Sequence, residues 1–111
     1  MARIQGVKRD QGKAPWHLLP WDAVEAVVRV LAFGAQKYAP RQWECGISHS
    51  RTFAATQRHL TAWFQAREDA DRETGISHLA HAACEVLYAL ALELRGARKV
   101  DDRPRTPKVK R

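Results

Sequence analysis

Residues 78–94, HLAHAACEVLYALALEL, decide the fold. Leu79, Ala83, Val86, Leu87, Leu90 and Leu94 recur at helical steps, not at the alternating step of a half-buried strand. Ser77 stands where an N-cap belongs, its hydroxyl oxygen placed to accept from free N–H groups of the first turn. The run is apolar around most of its circumference, more than one small bundle covers, which predicts a homo-oligomer. Three of its polar residues, His78, His81 and Glu85, fall within an arc of about 60° at 100° per residue. A solvent face would carry lysines and glutamates all along, so this stripe predicts a cleft.

Working outward, the segment before this helix is acidic, REDADRETG at residues 67–75, with Thr74-Gly75 as its turn. A preceding helix is expected from near Ser50 to about Arg67, burying Phe53, Leu60, Trp63 and Phe64. Its small stripe, Ala55, Ala62 and Ala66, suits close packing, while Arg51, Arg58, Gln65 and Glu68 share another face. A first helix is expected to open at Asp22, with Asp22 and Glu25 as a capping box, and to end before Pro40. Val24, Val27, Val28, Leu31, Ala35 and Tyr38 form its stripe. Gly34 costs about 1 kcal/mol there relative to alanine, which points to close approach of another element. Residues 1–20 read as an extended arm that lays Trp16, Leu18 and Leu19 on the core, and Trp43 anchors the loop between the first two helices. Three helices with short links and no alternating strand give an all-α fold, a small antiparallel bundle.

With 111 residues there is room for one domain, assigned to residues 1–94, followed by a basic tail at 95–111. The tail holds eight of the 19 Lys and Arg but only Asp101 and Asp102 of the 12 acids, so it carries nearly all of the net charge of +7. Two prolines and the lack of any period predict that it is disordered. Weak nucleic-acid contact is therefore expected of the tail at most, and the balanced charge of residues 1–94 argues against a nucleic-acid-binding domain. Cys45 and Cys84 lie in unrelated contexts, which excludes a zinc ribbon or disulfide framework. No apolar run is long enough for a membrane span or signal-peptide core, so a cytoplasmic protein is expected.

An antiparallel hairpin would bring the end of the second helix beside the start of the third. Glu68 and Asp69 would then approach His78 and His81, a donor set suited to a divalent cation. The partial positive charge of a helix start favours neutral imidazoles and attracts phosphate. Each histidine or acid alone is more simply a structural hydrogen-bonding residue; the grouping carries the inference. His78-x-x-His81 is a weak motif, distinct from the HExxH of zinc proteases. Asp71 and Glu73 read as turn-forming residues, and His59 as a structural hydrogen-bonding partner facing Glu85. Lys13, Lys37, Arg41 and Arg58 are candidates for phosphate contact or plain surface charges, and Trp16 and Trp43 for base stacking or anchoring.

The tracts DQGK, LLP, FGAQKY, RHLTAW, ED, TG and HLAHAAC, in that order over residues 8–94, resemble the small phage dATP/dGTP diphosphohydrolases, relatives of the MazG-like all-α nucleotide pyrophosphatases. The resemblance implies metal-dependent hydrolysis of purine deoxynucleoside triphosphates, dATP or dGTP, to monophosphate and pyrophosphate. It also implies a divalent metal, Mg²⁺ or Mn²⁺, held by Glu68, Asp69, His78 and His81, with Glu68, Asp69 and His81 catalytic. Lys13, Lys37 and Arg58 would then steady phosphates, and Tyr38 or Trp43 face the base. The wider superfamily uses ExxE and ExxD motifs on two facing helices; this chain has no ExxE on its second helix and His78-x-x-His81 on its third. The alternative is a small helical nucleic-acid-binding or oligomeric accessory protein without catalysis.

Overall fold

A computed structural model describes residue 9 and residues 11–105; among them are three α-helices and no strand. The helices are α1 (Trp21–Lys37), α2 (His49–Phe64) and α3 (His78–Leu94), with short 3-10 turns at Trp16–Leu18, Gln42–Cys45 and Arg98–Val100. The third helix organises the rest, packing most extensively on α2 and also on α1. Ser77 caps it as the sequence predicts, its Oγ accepting from the Leu79 N–H at 3.1 Å.

The start of α1 departs from expectation. The helix begins at Trp21, directly after Pro20, so Asp22 lies inside the first turn and no side chain caps it. Asp22 accepts from the neighbouring Ala23 N–H and Glu25 pairs with Arg29, so the capping box does not form. A side chain at Gly34 would meet nothing within 4 Å, so no element approaches closely there.

The buried core is small: Val30 of α1 against Ala80 and Cys84 of α3, flanked by Ala26, Val27, Leu31, Ile76 and Tyr88. Several large side chains expected in it lie outside. Phe53 and Phe64 are 65% and 74% exposed, and Trp16 and Leu18 are 68% and 73% exposed. The reason lies in the face that α2 turns inward. Its buried residue is Thr52, and Thr56, His59 and Leu60 follow on the same side at helical spacing, half-buried. Phe53, about 100° further round, is carried away from α3.

Residues beyond α3 are engaged with the helices over the first part of the expected tail. Val100 is buried, its Cγ1 3.3 Å from where a side chain on Gly46 would begin. The carboxylate of Asp102 accepts from the backbone N–H of Ser50 at 2.8 Å and from its hydroxyl, capping α2 from 52 residues away. Arg95 and Arg103 are paired with Glu44 and Asp101. Residues 106–111 of the tail, and residues 1–8 and 10 of the arm, lie outside the described residues.

Candidate metal centre

The α2–α3 connection folds back on itself. Arg67 takes a left-handed conformation (φ 54°) after α2, and Gly75 another (φ 71°), a conformation that a side chain would strain. An isolated antiparallel bridge pairs Ala70 with Ser77, and the His78 N–H donates to the Asp69 carbonyl at 2.9 Å. Within this loop Asp71 Oδ2 accepts from the N–H groups of Glu73 and Thr74, both at 3.0 Å. The turn chemistry of the acidic segment thereby fixes one carboxylate beside the helix seam.

Three imidazoles meet it from the two helices. His59 Nδ1 lies 2.8 Å from His78 Nδ1, and the His59 ring stacks on His81 with centroids 4.6 Å apart and an interplanar angle of 10°. His78 is 4% exposed, and its Nε2 lies 2.8 Å from Glu68 Oε1. His81 Nε2 lies 2.7 Å from Thr74 Oγ1, which is itself 3.3 Å from Asp71 Oδ2. One ligand atom each from His59, Asp71 and His78 falls within 4.8 Å of the others. Two imidazoles and a carboxylate at that spacing fit a divalent transition ion.

The electrostatics suit ligation. Burial holds His59 and His81 below the ordinary imidazole range, keeping them neutral, the form that binds metal and accepts protons. Burial opposes ionisation of Asp71, but the Thr74 N–H, the neighbouring His81 and the Glu73 N–H outweigh it and hold its carboxyl below the usual range. The bond to His78 does the same for Glu68.

Of the residues expected at the site, Glu68, His78 and His81 come together. The Asp69 side chain is exposed beside Trp63, Phe64 and Arg67, and its contact with the site is through the backbone carbonyl. Lys37 Nζ pairs with Glu73 at 2.9 Å, tying the end of α1 to the acidic turn, and lies 5.4 Å from the exposed Tyr38 ring. Trp43 is stacked on Tyr88 at 5.2 Å, with the Arg95 guanidinium 5.0 Å over its ring, so it serves as an anchor among neighbours. Lys13 and Arg58 are exposed, Arg58 bordering an open groove on α2 with Gln57, Thr61, Ala62, Gln65 and Ala66. Two members of the convergent group, His59 and Asp71, are expected from the sequence in structural roles only; Asp71 does form the turn, and His59 meets His78 and His81 rather than Glu85. The spacing of His59 from the seam residue Thr52, two turns along one helix face, is the signal in the sequence that would have placed it inward.

Comparison with known proteins gives two matches. A family model described as dATP/dGTP diphosphohydrolase, N-terminal, matches residues 3–103. A dATP/dGTP diphosphohydrolase of Salmonella phage PMBT28 is 41% identical over 100 residues, covering 90% of this chain and 33% of that protein. The chain thus spans about a third of the length of the curated relative that it matches. No solved structure matches.

Proposed function

The chain belongs to the dATP/dGTP diphosphohydrolase family, and from that membership we propose that it hydrolyses purine deoxynucleoside triphosphates to the monophosphate and pyrophosphate with a divalent metal. The observation that carries the metal is the convergence of His59, Asp71 and His78 on the inner side of the α2–α3 hairpin. These three residues would hold the ion, and Glu68 would orient His78 through its Nε2. Two imidazoles in the set favour Mn²⁺ over Mg²⁺, which prefers oxygen ligands. When bound, such a cation neutralises phosphate oxygens and acidifies water.

The remaining residues have parts in the same reaction. His81, kept neutral by burial, accepts the proton of the attacking water, and Thr74 and the stacked His59 fix its ring. Water adds to the α-phosphorus, the bond to the bridging oxygen breaks, and pyrophosphate leaves with that oxygen. Arg58, next to His59 on α2, would balance the charge of the leaving group. Lys37 acts by holding Glu73 and with it the turn that carries Asp71. Work on free deoxynucleotides would take place in the cytoplasm, and no helix among the described residues is long and apolar enough to cross a membrane.

The partner is a second copy of the chain. Leu79, Val86, Leu87, Leu90 and Leu94 of α3 are each at least 42% exposed, an apolar face too large for a monomer whose core is so small. The test of the whole reading is pyrophosphate release from each of the four deoxynucleoside triphosphates with Mg²⁺ or Mn²⁺. Release from the purine nucleotides is expected, and no release under any condition sinks the proposal.

A further inference from the structure

The hydroxyl of Thr74, half-buried in the turn before α3, makes three contacts that together admit one arrangement of protons. Its Oγ1 lies 2.7 Å from His81 Nε2, 3.3 Å from Asp71 Oδ2 and 3.1 Å from the Ile76 backbone nitrogen. A hydroxyl has one proton and two lone pairs to distribute. The Ile76 N–H donates, and so occupies one lone pair. Asp71 accepts, because it is a carboxylate: against burial, the Thr74 N–H, the neighbouring His81 and the Glu73 N–H hold its carboxyl below the usual range. The hydroxyl proton therefore goes to Asp71 Oδ2, and the second lone pair is left for His81. That last bond forms when the imidazole donates from Nε2. His81 is neutral, since burial holds it below the ordinary imidazole range, and has a single ring proton to place. With that proton on Nε2, the ring lone pair lies on Nδ1, which has no hydrogen-bond partner among the described residues. The reverse arrangement fails twice. It would turn a hydroxyl lone pair against the Asp71 carboxylate, and it would put the ring N–H on Nδ1, where no acceptor stands.

We propose that Thr74 is a positioning residue for the hydrolysis, passing one hydrogen bond from His81 Nε2 on to Asp71 Oδ2, so that Nδ1 is the nitrogen of His81 that takes the proton of the attacking water. One proton moves, from water to Nδ1, while Nε2 and the hydroxyl keep theirs. The charge that appears on the ring then faces a hydroxyl whose own proton points at a carboxylate, and Asp71 steadies it through Thr74. The surroundings hold the chain of contacts in place. Asp71 Oδ2 is fixed by the N–H groups of Glu73 and Thr74, both at 3.0 Å, and the His59 ring stacks on His81 at 4.6 Å. The assignment rests on the nucleotide-hydrolase reading above, and specifies which atom of His81 acts in it and what orients that atom.

The experiment is nitrogen-15 NMR of the full chain labelled at histidine, without added metal and at a pH above the imidazole range, with His81→Gln identifying the His81 signals. The wild type is expected to carry its His81 proton on Nε2 and its lone pair on Nδ1. Thr74→Ser keeps the hydroxyl and is expected to keep that tautomer, whereas Thr74→Val keeps the shape without the hydroxyl and is expected to show a mixture of the two. In turnover of dATP or dGTP, Thr74→Val is expected to lose about tenfold or more in kcat with KM within about twofold, and Thr74→Ser to recover most of the loss. A His81 proton on Nδ1 in the wild type, a tautomer unchanged in Thr74→Val, or full turnover by that variant overturns the proposal. Should Thr74→Val fail to fold, the wild type and Thr74→Ser decide, and a different tautomer in Thr74→Ser overturns it. Pyrophosphate release is read separately: its absence alongside the Nε2–H tautomer removes the hydrolase reading and leaves the hold of Thr74 on His81.

Discussion

His59 and His78 face each other across the α2–α3 seam with their Nδ1 atoms 2.8 Å apart, while the far nitrogen of His78 meets Glu68 at 2.8 Å. With both rings neutral, this chain of contacts fixes both tautomers, and an ion held by the His78 Nδ1 would displace the His59 N–H from it. His78 donates from Nε2 to the Glu68 carboxylate, so its Nδ1 carries a lone pair and His59 must donate from Nδ1. The Nε2 lone pair of His59 then remains for another partner. An N–H on both Nδ1 atoms at once would set two donors against each other.

Asp71 is therefore expected to matter more to the metal than Asp69, although the two lie side by side in an acidic run. Asp71→Asn or His59→Ala should weaken Mn²⁺ binding at least about tenfold, whereas Asp69→Asn should leave it within about twofold, since Asp69 reaches the site through its backbone carbonyl. Calorimetric titration with Mn²⁺ checks this. Equal losses in Asp71→Asn and Asp69→Asn would refute the assignment of His59, Asp71 and His78.

Acid should destabilise the fold in a window set by the imidazoles. Burial lowers the pKa of His59 and His81 below the ordinary value of 6.5, so below that pH the unfolded chain takes up protons that the folded chain refuses. Their contribution is complete well above pH 6.5 and declines as the pH falls. At lower pH, protonation of Glu68, whose pKa lies below 4.5 through its bond to His78, removes a further contribution. Melting temperatures should drop by several degrees from pH 7.5 to 5.5, and His81→Gln should flatten that slope. An unchanged slope in the variant would exclude His81 as a source.

Asp102 should behave as part of the folded domain. Its carboxylate satisfies the N–H of Ser50 at the start of α2, where Ser48 makes no side-chain cap, so Asp102→Ala should lower the melting temperature by a few degrees. Ser50→Ala in the same background should add less than it does alone, because the two share one contact. Full additivity in the cycle would show that this contact contributes nothing.

The apolar face of α3 should fail when charged. Leu87→Glu with Leu90→Glu puts two carboxylates on half-exposed positions, at little cost to a monomer but with unpaired charge inside any interface between copies. Light scattering should register at least a dimer for the wild type and a monomer for the variant. A monomeric wild type would remove the homo-oligomer from the proposal.

The sequence by itself determined the helices and which of their ends meet. Ser77 caps α3 and residues 78–94 form it because cap chemistry and apolar period act within one or two turns, where the chain cannot avoid them. The convergence of Glu68, His78 and His81 was legible for a similar reason, since a short turn leaves two helices little choice but to lie side by side. What the tertiary structure decided are the contacts that span greater distances. His59 meets His78 across 19 residues and Asp102 caps Ser50 across 52, and no local rule registers either pair. The face that α2 turns inward was decided the same way: its phenylalanines looked like core, but the seam took Thr52, whose hydroxyl donates to the His49 carbonyl, and His59, which meets His78 and His81, since polar groups leaving water need partners.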